Sequence, residues 1–535
     1  VHFPFAFGAS GGMVDGENGF LSSMDGLHRV LTPLDWLVFG GVVFCIWLPP
    51  LFWRRRGANG AGPGAENRLS WMAAGLALVA NDAGGAALLA IPALTASVSG
   101  DFTVMQWALG AWLARLVLLL FWVGPLFREG GGDPFVFIER RIGGRARRLA
   151  EWLGFAGTLL VQTVPFLAML MLLSILTPLS QPEAVATAGA VVILWGVIAP
   201  VPGVGRDLLI FGVAASAAAG LFVLLCRSIE GGWEAVGSAA RAVGTFDGGT
   251  IDKGRIVDPR LDPLSSFSIW IALLAVPFQQ LQSLATGALA QRTLARCAGV
   301  RQARLAVLFS AVAPGFVWLL LALGTSVFVF YGGHPPEDPS ILRALEWSGG
   351  GPGAAERALP VWILTEAPEG WKGALLAAIA LSTLLGLDNS FHAGSLVLRR
   401  GGAGMAAALA RRDLLPAVAV VGPLLAVAAF VVAAGAGIAG TTWFERGLDA
   451  GAWCGGPVVG FFLVSMLGRV RPAGLIAAVL LALGMVLCLT PGAWNPLAGP
   501  ASGWNLPRAW LWPITAMTTV LLGWDFRSRR LQNSK

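Results

Sequence analysis

The residues whose types and spacing could do chemistry lie in three apolar stretches. The first is Leu69 to Pro92, LSWMAAGLALVANDAGGAALLAIP, whose middle reads Asn81-Asp82-Ala83-Gly84-Gly85. An acid at mid-membrane depth costs ~2.5–3.5 kcal/mol on insertion scales. Two glycines weaken the helix at the same place. Unwound backbone there offers carbonyls to a cation, and the new half-helix ends can meet a polar solute. The competing reading is a kinked helix whose Asp82 pairs with a neighbour. The second stretch, WIALLAVPFQQLQSLATGALAQRTLAR, sets Gln279, Gln280 and Gln282 beside Pro277, with Thr286-Gly287 a turn later. Three amides are costly to bury unless hydrogen-bonded, and Pro277 frees a carbonyl in the turn before it. Their plain alternative role is to bond one helix to the next. The third stretch, GALLAAIALSTLLGLDNSFHAGSLVLRR, carries Ser382-Thr383 deep inside it and Asp388-Asn389-Ser390 and His392 towards its end. Two adjacent hydroxyl oxygens can reach one small hard cation such as sodium. Bonding of both hydroxyls to the preceding turn is equally compatible with the sequence.

These stretches belong to a chain of 535 residues that is 56% hydrophobic and 13% charged, with mean hydropathy +0.71. That balance excludes an ordinary soluble domain and predicts an all-α, polytopic membrane protein. Apolar runs of about 20 residues exclude a barrel. With one tyrosine and 22 tryptophans, Trp supplies the interfacial anchoring. The five cysteines are scattered without metal-ligand spacing, so no metal centre or cofactor is implied. No HExxH, phosphate loop or nucleophile elbow is present, so an enzyme is not expected.

Thirteen spans are predicted, near 33–53, 70–93, 104–126, 149–178, 184–201, 207–226, 265–288, 304–331, 371–397, 413–437, 451–468, 472–490 and 507–524. Of the 37 Lys and Arg, 25 follow odd-numbered spans and 11 lie on the other side, while Arg115 falls within span 3. The positive-inside rule therefore places the N-terminus outside and the C-terminus in the cytoplasm. The net charge of +7 sets topology and is no sign of nucleic-acid binding. Residues 227–264 and 333–370 are then external, solvated loops, the first with a short surface helix near Trp233 to Ala242. Residues 1–30 lack a basic stretch followed by an apolar core, so no cleavable signal peptide is expected. The second broken span stands five spans after the first and starts on the opposite face. That arrangement fits an inverted repeat with a solute where the broken helices meet.

Four stretches give the chain a resemblance to the sodium:solute symporter family, which includes the sodium/proline and sodium/galactose carriers. Leu69-Ser70-Trp71 through VANDAGG to Pro92 resembles that family's first core helix. DPFVFIERRIGG (133–144) resembles its cytoplasmic T-x-x-E-F-L-x-x-R-F-G segment. GALAQRTLA (287–295) resembles its D-Q-x-x-x-Q-R segment, and LSTLLGLDNS (381–390) its S-S/T-L-x-S-x-L-N-S. The resemblance covers about residues 33–470 and implies a LeuT-type fold of two inverted five-helix repeats. On this reading residues 1–68 hold an extra helix and 69–227 the first repeat. An external loop spans 228–264, the second repeat spans 265–468, and 469–535 hold further helices.

What the resemblance implies for function is sodium-coupled symport of a small organic solute across the cell membrane. The partners it implies are the solute, the ion and the bilayer, with no obligate protein partner. By position the sodium ligands are Val79 and Asp82 with Ser382 and Thr383. The solute contacts are Asn81, Gly85, Ala86, Gln279 and Gln282. The chain departs from the family in three places. Gly203-Val204 replaces a Thr-Asp pair, with Asp207 three residues later. Thr286-Gly287 replaces an Asp/Asn-Gln pair, and Asp82 stands where relatives have an apolar residue. A proton-coupled or uncoupled carrier, or a transporter-like sensor, on the same fold is the alternative. With no Lys or Arg in the central part of spans 7 and 9, Asp82 is expected to look to the ion for its counter-charge, and a neutral or zwitterionic solute is expected.

Overall fold

Two long helices of this protein break near their middles, and most of the remaining helices pack around those breaks. The computed structural model describes residues 30–57, 68–84, 86–97, 100–198, 204–241, 243–246, 249–258, 262–265, 267–285, 287–334, 352–401, 420, 422, 443–467, 472–489 and 507–524. In chain order the helices are α1 (Pro33–Gly57), α2 (Trp71–Ala83), α3 (Ala87–Ala96), α4 (Trp107–Val117), α5 (Val123–Gly130), α6 (Pro134–Arg141), α7 (Gly144–Leu176), α8 (Gln181–Ile198), α9 (Val204–Ser228) and α10 (Gly232–Arg241). After a hairpin of β1 (Val243–Phe246) and β2 (Gly249–Asp252) come α11 (Ile269–Leu274), α12 (Val276–Ala285), α13 (Ala288–Arg292), α14 (Val300–Phe309) and α15 (Ala313–Gly333). The chain continues with α16 (Pro352–Glu366), α17 (Trp371–Leu384), α18 (Leu387–Gly401), α19 (Trp443–Leu467), α20 (Pro472–Leu489) and α21 (Leu511–Gly523).

Among the described residues five helices are long and apolar enough to cross a membrane, and seven if each bent pair is one span. Shorter helices stand at the other expected spans, except 413–437, which apart from residues 420 and 422 lies outside the described residues. Large apolar side chains point outwards, Leu37 at 71% exposure, Phe121 at 68% and Leu480 at 65%. Exposed large apolar side chains on such helices face lipid in a multi-pass membrane protein.

The first broken span is α2 and α3, bent by 51°. Ser70 caps α2 by accepting the Ala73 N–H at 3.2 Å. The helix ends at Gly84, which is extended (φ −90°, ψ −171°). A Cβ on Gly84 would overlap the Leu385 side chain and the Ala80 carbonyl oxygen, so only glycine lets the break lie against the end of α17. The second broken span is α11–α12 followed by α13, bent by 47°, with Gly287 extended between its halves. Gly110 of α4 brings that helix against the Ala272 carbonyl of α11, where a Cβ would clash.

Two expectations for the loops need correction. Residues 352–366, expected in a solvated loop, form α16, whose Leu359, Val361, Trp362, Ile363 and Leu364 are buried in the same core as Leu88 and Leu89 of α3. The 227–264 segment contains the expected short helix as α10, but also the β1–β2 hairpin, so the fold is not wholly helical. The residues after the hairpin are anchored. Lys253, 1% exposed, donates to the carbonyls of Thr95 (2.9 Å) and Ser97 at the end of α3, and its Nζ lies 3.9 Å from the Phe328 ring centroid. Arg255 pairs with Asp101.

Candidate functional site

Asp82 lies in the last turn of α2, and its partner comes from the third span. Arg115 of α4 is 2% exposed and donates through Nη2 to Asp82 Oδ2. Its Nε donates to Ser310 Oγ at 2.9 Å, and Nη1 to the Ala111 carbonyl at 3.0 Å and to Gln280 Oε1 at 3.4 Å. One guanidinium thus joins the first broken span, through Asp82, to the second, through Gln280. The expectation that Asp82 looks to the ion for its counter-charge is corrected: spans 7 and 9 supply no cation centrally, but span 3 does, through Arg115.

Asn81, the neighbour of Asp82, belongs to a second chain of bonds. Asn389 of α18 donates to Asn81 Oδ1 at 3.1 Å and accepts from Arg292 Nη1 at 2.6 Å. Arg292 Nη2 donates to Asp207 of α9 at 2.7 Å. Arg292 is itself buried at 2% exposure. Gln291, one residue earlier, donates instead to Asp133, which caps α6. The two residues of this pair therefore hold different elements. The second half of the second broken span also pairs with the start of the first, where the Leu69 N–H donates to the Arg296 carbonyl at 2.9 Å.

Ser382 and Thr383 are buried at 1% and 3% exposure near the end of α17. Each hydroxyl donates to the carbonyl three residues back, Ser382 to Ile379 and Thr383 to Ala380, both at 2.7 Å. The back-bonding that the sequence left open is thus present. A hydroxyl that donates its proton still has oxygen lone pairs. The next residues, Leu384 and Leu385, share a core with Ala80 of α2, and Leu385 lies against Gly84. The hydroxyl pair and the first break are therefore on adjoining elements.

Of the other expected ligands, Val79 is 3% exposed and Ala86 7%, Ala86 standing at the start of α3. Gln279 and Gln282 are half-buried on α12. Gly85 and Thr286 lie outside the described residues. Sequence reasoning missed Arg115, Asn389 and Arg292 as members of these networks. The available signal was an arginine inside an apolar span, which is rare without a partner.

No protein-family model matches the chain, and no curated protein matches its sequence. Its fold is similar to that of a sodium-coupled sialic acid symporter solved in a substrate-bound outward-open state. The TM-score is 0.69 at 16% identity, over 92% of this chain and 97% of that one. A manganese transporter of Eremococcus coleocola is similar at TM-score 0.44 and 13% identity, over 87% of this chain and 88% of that one. Both are membrane transporters, not enzymes, and the first likeness shows that this chain has the fold of that symporter.

Proposed function

We propose that the protein is a secondary active transporter of the sodium:solute symporter family, carrying a small organic solute with sodium by alternating access across the cell membrane. The observation that carries this reading is the pair of spans broken at glycine, joined by the buried Arg115 through Asp82 and Gln280. On this reading residues 69–227 and 265–468 are inverted repeats, and the N-terminus is external. Sodium is cargo, held by the Val79 carbonyl, the backbone at Asp82, and the Ser382 and Thr383 hydroxyls. Their donation to Ile379 and Ala380 fixes the hydroxyl orientation. The solute lies against Asn81, Gly85, Ala86, Gln279 and Gln282. Sodium favours one arrangement of the breaks, the solute completes it, and rocking of one bundle against the other exposes both to the far side.

A thermal-shift screen of the purified full-length protein tests this. Amino acids, sugars and carboxylates are compared with sodium and with an impermeant organic cation at equal ionic strength. At least one solute should raise the melting temperature, and more so with sodium. A solute response indifferent to sodium would favour the proton-coupled or uncoupled alternative.

A further inference from the structure

We infer that Asp82 is a built-in carboxylate that fills the anion position of Arg115 and so excludes acidic solutes, leaving uncharged polar compounds as the solute class. This rests on the reading of the junction as the solute site. Every guanidinium nitrogen of Arg115 is engaged, by Ser310, Ala111, Gln280 and Asp82, and Asp82 is the only formal anion among those partners. Asp82 keeps 11% of its side-chain surface exposed, against 2% for Arg115, so the pair is approached from the side of the carboxylate. A solute carboxylate seeking Arg115 would have to displace Asp82. That would leave a second carboxylate without its counter-charge in a water-poor place. The second buried pair near the breaks, Arg292 with Asp207, is balanced in the same way. The junction therefore has no net formal charge from these four residues to offer a charged solute. Gln280, held through its oxygen by the same guanidinium, fixes the second broken span relative to the first. Arg115 is accordingly a positioning residue as well as the centre of charge balance.

Acetate is the probe. Asp82→Ala in the full-length protein opens a carboxylate-sized gap beside Arg115. Acetate should raise that variant's melting temperature saturably by roughly 1–3 °C, through preferential binding to the folded state. Chloride at equal ionic strength should not, and neither wild type nor the Asp82→Ala/Arg115→Gln double variant should respond to acetate. A folded Asp82→Ala protein without a saturable acetate response overturns the inference. The wild-type protein decides independently of whether the variant folds. Stabilisation by a monocarboxylic solute that disappears in Arg115→Gln would show that Arg115 binds solute anions, and the inference would be wrong. Wild-type protein indifferent to monocarboxylates but stabilised by an uncharged polar solute supports it. The acetate response requires no transport. A wild type that moves no solute therefore counts against the transport reading, while rescue of Asp82→Ala still reports on the filled anion position.

Discussion

Ser382 and Thr383 show how far single residues carry the account. Their hydroxyls are buried and donate to the preceding turn, bonds that also form in ordinary helices and that do not themselves use the oxygen lone pairs an ion would need. Ser382→Ala with Thr383→Val should raise the sodium concentration for half-maximal activation at least tenfold, about 1.4 kcal/mol or more. Solute affinity at saturating sodium should change little. Unchanged sodium activation in the double variant would remove the pair from the ion site. Gln279→Ala should weaken solute binding by about 0.5–1.5 kcal/mol, the worth of one hydrogen bond, read as the half-saturation for solute. Lys253 provides a pH test outside the spans. Burial pushes its ammonium down to about 7, against a smaller opposing pull from Asp101. Between that value and the ordinary lysine pKa of about 10.4 the unfolded chain binds the extra proton, so this residue's contribution to stability rises with pH. The melting temperature of wild type relative to Lys253→Met should therefore climb from pH 6 to pH 9. A difference that stays flat would show that the amine is not buried as described. Asp82 was legible in the sequence as an oddity, because an acid in an apolar run must find a counter-charge, and the competing reading of a pair with a neighbour is what the structure shows. Its partner was not, since no periodicity links Arg115 to a residue on another span.

At the scale of elements, the first break was readable, because a glycine pair and polar residues stand where apolar helix should continue; the second was expected around Pro277 and its amides, whereas the helix runs through them to Ala285 and bends at Gly287. The β1–β2 hairpin and the burial of α16 were not readable. Each is a short segment near glycine-rich sequence; α16 is buried by contact with α3, α15 and neighbours remote in the chain, and Lys253, just after the hairpin, is held by the end of α3. The same limit applies to the Arg292 network, which joins α13 to α9 and α18 and, through Asn389, to α2. Removing one partner of a buried ion pair costs about 3–5 kcal/mol. Arg292→Ala should accordingly lower global stability by that order in denaturant titrations and speed hydrogen exchange across α2. Exchange that increases only in α13 would show that the network does not hold the first broken span.

For the whole molecule, the membrane class followed from composition and the likeness to a solved symporter agrees with the fold that the resemblance implied, while the direction of insertion rests on Lys and Arg placement alone. A fluorescent protein joined to the C-terminus should be bright inside the cell, and a phosphatase inserted near the β1–β2 hairpin should be active outside. The reverse pattern would place the N-terminus and the 227–264 segment inside. The most direct test of the transport claim uses proteoliposomes containing the purified full-length protein and a solute that passes the thermal-shift screen. Labelled solute uptake is measured under an inward sodium gradient, an inward proton gradient and no gradient. The account predicts concentrative uptake under the sodium gradient that collapses when sodium is equilibrated across the membrane. Concentrative uptake under the proton gradient alone, or equilibration at the same rate in all three conditions, would contradict it.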